Sequence, residues 1–200
     1  MQCLKKMRLP RLIGNGMIIQ RNSSVKIWGW ATAGEVVSVR FKDQIYKGIT
    51  ANDGQWEVSL QTENAGGPFE MIIETCDGTE RITIENILLG DVWLCSGQSN
   101  MEMKMASLQH VFPDEIIHAG NDAIRQFQIP VAYDFEQPHA DVESGSWEAA
   151  DATSVLNFSA AAYFFAAKLY EQYRVPIGLI QASLGGAPIE AFMSEDVLAE

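Results

Sequence analysis

The hydrophobic pattern of this chain changes its period part-way along, and that change limits the layers it can build. In the first part, apolar and polar residues alternate. Trp56, Val58 and Leu60 share one side of a run whose other side is Gln55, Glu57 and Ser59, and Ile82 and Ile84 alternate with Arg81, Thr83 and Glu85. Period two sends successive side chains to opposite faces of a strand, so each run has one buried and one wet face. Runs at 25–30, 35–41 and 69–74 join 55–60 and 80–85 as predicted strands. Turn residues punctuate them at Asn52-Asp53-Gly54, Asp77-Gly78 and Ala65-Gly66-Gly67-Pro68. Short strands about ten residues apart, with no helical period between them, predict a β-sandwich over residues 1–86.

From Ile87 the pattern differs. An apolar run at 87–95 leads to Gly97, and 124–129 is a further strand candidate. Residues 159–173 predict a helix, because Ala161, Phe165 and Leu169 recur every four residues and share a face. Asn157 or Ser159 can cap its start, and Val175-Pro176 stops it. The run 177–182 is apolar enough for a strand covered on both faces, and Ser194 precedes another helix start. Strand, helix, strand predicts a parallel α/β sheet over residues 87–200. Three strands are fewer than an open doubly wound sheet normally carries, so this second unit is expected to be partial.

Composition narrows the partners. Hydrophobic residues make up 47% of the 200, enough for a packed core, and the formal net charge is -12. An anionic surface repels phosphate backbones and anionic lipid heads, so no nucleic-acid or membrane partner is expected. Cys3, Cys76 and Cys95 are odd in number and widely spaced, which predicts free thiols rather than a disulfide framework or a metal site. Lys5, Lys6 and Arg8 are not followed by the apolar run of a secretory leader.

Two strand-to-glycine junctions can carry chemistry. Ser99 follows the first apolar strand in Gly97-Gln98-Ser99-Asn100-Met101. Ligand sites of α/β sheets gather at the carboxyl ends of strands, and a serine there is either an exposed nucleophile or a helix cap. The G-x-S-x-G elbow is not reproduced, since Met101 stands at its second glycine. The second junction is Ala182-Ser183-Leu184-Gly185-Gly186. Its paired glycines either make a plain turn or offer an N–H to a developing oxyanion. Ser183 is the rival nucleophile, and Glu190 either faces a ligand or favours a helix start.

The segment Gly90-Asp91-Val92-Trp93-Leu94-Cys95-Ser96-Gly97-Gln98-Ser99-Asn100-Met101-Glu102-Met103 resembles the block that identifies sialate O-acetylesterases among SGNH-type hydrolases. Three further stretches resemble the family in order: Asn15 to Arg21, Phe158 to Phe165, and Val175 to Phe192. The resemblance implies a β-sandwich followed by an SGNH-type, flavodoxin-like three-layer α/β/α hydrolase domain. It implies Ser99 as nucleophile, with the N–H groups of Ser99 and of Gly185 or Gly186 as oxyanion donors, and Gln98, Asn100 and Glu190 near substrate. It implies an O-acetylated sugar as substrate, a sialic acid or an acetylated polysaccharide such as xylan. It implies no cofactor and no metal, and a periplasmic or secreted location.

One part of the family pattern is missing. The family's general base lies in an Asp-x-x-His pair downstream of the serine, and this chain has none; a Gln-Gly-Glu block is also absent. Of the histidines present, His118 near Asp114 is the nearest stand-in, ahead of His110 and His139. The chain is therefore expected to be a fragment of low esterase activity, because triad members act as a unit. A non-catalytic alternative is a sugar-binding scaffold using Trp28, Trp30 and Trp56 as a stacking platform. The oligomeric state is open.

Overall fold

The structure, a computed structural model, describes residues 6–134 and 136–198. Cys3 lies outside them. The first part forms β1 (Ile18–Gln20), β2 (Ser24–Trp30), β3 (Val36–Phe41), β4 (Gln44–Ile49), β5 (Gln55–Gln61), β6 (Gly66–Thr75) and β7 (Arg81–Gly97). The second part adds short helices α1 (Ser99–Glu102) and α2 (Pro113–Ile117), strands β8 (Asn121–Gln128) and β9 (Trp147–Ala150), helix α3 (Ala160–Tyr173), strand β10 (Ile177–Ser183) and helix α4 (Glu195–Leu198).

These strands make an eight-stranded mixed sheet in the order β4-β3-β6-β7-β10-β8-β9, with β1 parallel to β7, and a separate antiparallel pair β2-β5. The predicted inward face of β5 is buried: Trp56, Val58 and Leu60 join Val37, Val39, Phe41, Met71, Ile73 and Ile84 in one core. A second core gathers Cys95, Met105, Ile124, Phe158, Tyr163, Ala166, Ile177 and Leu179 between α3 and the strands.

Several elements differ from the sequence expectation. β4 has no counterpart in it: its apolar Ile45 and Ile49 point outward, and the reversal before it places Lys42 at φ 54, a turn without the usual Asn-Gly or Asp-Gly signature. Gly66-Gly67-Pro68, read as a break, lies inside β6, whose pairing with β7 shifts register between Gly66 and Phe69. The expected strands on either side of residue 86 are one strand. β7 pairs with β6 and β1 along its first half and with β10 from Asp91 to Gly97. Asn86 sits inside it at φ 59.

The predicted helix is α3, capped by the Ser159 hydroxyl, which accepts the Ala162 N–H at 3.3 Å. Its buried face is Ala160, Ala162, Tyr163 and Ala166, whereas Ala161 and Phe165 are exposed. α3 is apolar nearly all round, so spacing alone did not select the face. Arg174 closes it in the left-handed conformation before Val175-Pro176.

Arg125 of β8 fastens the later strands to the earlier ones. It is 3% exposed. Nη1 donates to the carbonyls of Gly16 and Asn86, Nη2 to Asn86 Oδ1, and Nε to the Asp122 carbonyl. Burial among neutral acceptors lowers its pKa. Trp147 adds a bond from Nε1 to the Leu12 carbonyl at 2.8 Å. Among the described residues no helix is long and apolar enough to cross a membrane. Trp30 is buried with the Arg8 guanidinium 3.5 Å from its ring centre, and Trp56 is buried in the core, so neither offers the open face of a stacking platform.

Candidate active site

β7 and β10 are parallel neighbours, and Ser183 is the register partner of Gly97. Both strands therefore end at one level, and their loops leave the same edge of the sheet side by side. Gly97 takes φ +147, a conformation that favours glycine, and turns the chain into α1. Ser99 is the first residue of α1 and is exposed. The N–H groups of Met101 and Glu102 both donate to the Gln98 carbonyl, at 3.0 and 2.9 Å. Those of Ser99 and Asn100 precede any carbonyl a helical ladder could offer them.

Three bonds tie the loops together. The Leu184 N–H donates to the Gly97 carbonyl at 3.1 Å. The Gln98 side-chain amide donates to the Ala187 carbonyl. The Gly185 N–H donates to Glu102 Oε2 at 2.8 Å. The approach at Gly185 is too close for a side chain: a Cβ there would stand 2.5 Å from Glu102 Oε2 and 3.5 Å from Ser99 Oγ. Ser99 and the glycine turn, 86 residues apart in sequence, are thus adjacent in space.

Residues 89–199, more than half of the chain, match the family described as carbohydrate esterase, sialic acid-specific acetylesterase. The chain belongs to that family. It is similar to the sialate O-acetylesterase of Rattus norvegicus, 34% identical across 96% of this chain and 38% of that protein. The Mus musculus sialate O-acetylesterase is 32% identical with the same coverage. The crystal structure of a carbohydrate acetylesterase from Xanthomonas citri is similar with a TM-score of 0.90 at 33% identity, covering 96% of this chain and 43% of that one. The chain spans about two-fifths of the length of these relatives.

Within this member of the esterase family, the other candidate residues are placed as follows. The Gly185 N–H is already engaged by Glu102, whereas Gly186, at φ 77 and exposed, is the next amide of the turn. Gln98 is exposed, and its side-chain amide ties the two loops by donating to the Ala187 carbonyl. Asn100 is exposed on α1, and Glu190 is exposed in the short turn Ile189–Phe192, where its carbonyl accepts the Met193 N–H. The Ser183 hydroxyl accepts a bond from the Gln181 amide, so it supports the turn. Glu102 was missed: an acidic residue in a helix's first turn reads as a macrodipole effect, and nothing in the sequence connects it with Gly185.

No histidine among the described residues is hydrogen-bonded to Ser99. His118 Nδ1 lies 2.8 Å from the Asp114 carbonyl at the end of α2, His139 Nε2 lies 2.7 Å from Asp134 Oδ2 in an exposed loop, and His110 is exposed. The serine loop is braced from behind. The Ser159 hydroxyl donates to Met101 Sδ at 3.5 Å, the Ala160 N–H to the Met103 carbonyl at 2.8 Å, and the Met105 N–H to the Phe158 carbonyl at 3.0 Å.

Proposed function

We propose that this chain carries the nucleophile-bearing part of a carbohydrate O-acetylesterase, with Ser99 as the nucleophile and a sialic acid O-acetyl ester as substrate. One observation carries the reading: the exposed Ser99 hydroxyl stands at the carboxyl end of parallel strands, 3.5 Å from where a Gly185 Cβ would be. In this reading residues 1–86 are an accessory β-sandwich and residues 87–200 are part of an SGNH-type α/β/α hydrolase unit, even though β7 runs through the division.

The chemistry is acyl transfer. Ser99 Oγ bonds to the acetyl carbonyl carbon as its proton passes to a base, and the carbonyl oxygen becomes the oxyanion. The N–H groups of Ser99 and Gly186 receive that oxyanion, with Glu102 holding the turn that presents Gly186. Collapse breaks the bond to the sugar oxygen, which leaves as the alcohol after protonation; water then releases acetate and restores Ser99. Loss of one such donor costs about 100- to 1,000-fold in rate. The three histidines are not placed as the base, so the chain alone is expected to acylate and deacylate slowly.

Slow deacylation supplies the test. After incubation with 4-nitrophenyl acetate, mass spectrometry should find acetyl retained on the peptide containing Ser99, and on no serine of the Ser99→Ala variant. Acetylation confined to lysines, or serine acetylation that survives the substitution, overturns the assignment.

A further inference from the structure

Beside the serine loop, the sheet face that carries α3 changes from apolar to amide side chains at its carboxyl end. Ile124 of β8 and Ile177 and Leu179 of β10 are core residues packed with α3. Further along the same face stand Gln126 and Gln128 of β8 and Gln181 of β10, with Glu148 of β9 in register with Gln126. α3 begins only at Ala160, and at this end of the face Gln128 and Glu148 are exposed while Gln126 and Gln181 are buried. A cavity of about 200 Å³ opens there, lined by Gln126, Gln128, Gly145, Ser146, Glu148 and Asn157.

Gln126 makes this a formed site rather than a polar surface. It is 4% exposed, and its Oε1 accepts the Ser159 N–H at 3.0 Å. That bond fixes the carboxamide and leaves the amide nitrogen as the end available to the cavity. Asn157 lines the cavity, and the two residues after it brace the serine loop, through Ser159 to Met101 and Phe158 to Met105. β8 lies two strand spacings from β7, about 10 Å.

We propose that this cavity is a subsite for one neutral, hydroxyl-rich sugar ring. The volume is below the roughly 300–1,000 Å³ of drug-sized pockets, so it suits a single ring. Amide and hydroxyl groups both donate to and accept from sugar hydroxyls. Among the described residues that line it, the only charged side chain is the Glu148 carboxylate, and none is a cation that could pair a ligand anion. On a protein of net charge -12, that carboxylate discriminates against an acidic sugar. The ring held here is thus a neutral neighbour of the acetylated unit, whichever sugar bears the ester.

The proposal rests on the esterase reading for its biological sense, but binding does not require Ser99 to act as a nucleophile. The test is NMR titration of the 200-residue chain with methyl β-galactoside, methyl β-xyloside and N-acetylneuraminate. A neutral glycoside should shift the Gln126, Gln128 and Asn157 side-chain amides with millimolar affinity, and N-acetylneuraminate at least fivefold more weakly. Gln128→Ala should weaken the neutral sugar several-fold, Glu148→Gln should narrow the gap between neutral and acidic sugars, and Ser99→Ala should change neither. No shift of these amides by any neutral glycoside, or equal binding of N-acetylneuraminate to the unaltered chain, overturns the subsite. Binding without acetylation of Ser99 sinks the nucleophile and leaves the subsite; acetylation without binding does the reverse.

Discussion

Replacing Glu102 by alanine should loosen the glycine turn while leaving the rest of the fold in place. The carboxylate accepts the Gly185 N–H at 2.8 Å, and a hydrogen bond to a charged group contributes about 1.5–3 kcal/mol net. Both residues are half-buried, so water replaces part of that bond, and the expected loss is about 1–2 kcal/mol. Two ties survive, from Gln98 to Ala187 and from Leu184 to Gly97, so the loss falls on local opening more than on global unfolding. At about 1.4 kcal/mol per factor of ten, the Gly185 amide should exchange with solvent deuterium roughly 5- to 30-fold faster. Glu102→Gln keeps an uncharged acceptor and should fall between. A double-mutant cycle sharpens the test. A Cβ at Gly185 must displace Oε2 from 2.5 Å, so Gly185→Ala breaks the same bond, and Glu102→Ala on top of it should add little. In turnover of an acetyl ester, Glu102→Ala should lower kcat with KM nearly unchanged, because a positioned N–H matters most for the oxyanion. Unaltered Gly185 exchange in Glu102→Ala, or strict additivity in the cycle, refutes the role.

Three further outcomes are expected. Arg125→Met removes the four hydrogen bonds of a buried guanidinium; because Gly16 is half-buried and Asn86 exposed, water replaces part of them, and at about 0.5–1.5 kcal/mol net per bond urea unfolding should show a loss of about 2 kcal/mol or more, while a loss below about 1 kcal/mol contradicts the clamp. Cys76 is exposed, whereas Cys95 is buried and burial pushes its thiol pKa up, so iodoacetamide should alkylate Cys76 in the folded protein and Cys95 only on unfolding. Asp77 is held below the usual carboxylate range by the Thr75 hydroxyl and by the Thr79 N–H and hydroxyl, and Asp151 by the N–H groups of Ser154 and Thr153. A depressed folded pKa stabilises above the unfolded value of about 3.9 and is lost as pH falls through the folded value. Urea midpoints should therefore decline below about pH 4, less steeply in Asp77→Asn.

What could be seen in the sequence is what neighbouring residues decide among themselves. β5 was readable because Trp56, Val58 and Leu60 alternate with wet residues, and each side chain reports its own face. α3 was readable as a helix through Ser159 and Val175-Pro176, yet not in its orientation, because Tyr163 and Phe165 are equally apolar and only the sheet distinguishes them. β4 escaped because it sets Gly48 inward and Ile45 and Ile49 outward, against the usual sense of the pattern. β7 was divided because the alternating pattern of residues 80–85 gives way to an apolar run from Ile87. Asn86 adopts a positive φ, but Arg125 holds it inside the strand from 39 residues away. The resemblance singled out Ser99 and the two glycines, which the structure brings side by side; the Glu102 link, spanning 83 residues, had no local trace.

The meeting of the two loops follows from strand register, and the core enforces that register. β10 is inserted between β7 and β8 after the chain has passed through β8, β9 and α3, so Ser183 reaches Gly97 only if Ile177 pairs with Asp91. A slip of one residue would turn Ile177 and Leu179, 1% and 0% exposed, out of the face packed with α3 and bring Gly178 and Ile180 into it. Burying an aliphatic side chain of that size contributes about 1.5–3 kcal/mol, so the slipped pairing forfeits several kcal/mol before any loop contact is counted. The same slip would carry Gly185 one residue, about 3.3 Å, along the strand direction, past the reach of the Glu102 carboxylate. Packing under α3 and the spacing between Ser99 and Gly185 are therefore set together, and the three inter-loop bonds adjust a position that the hydrophobic register has already selected.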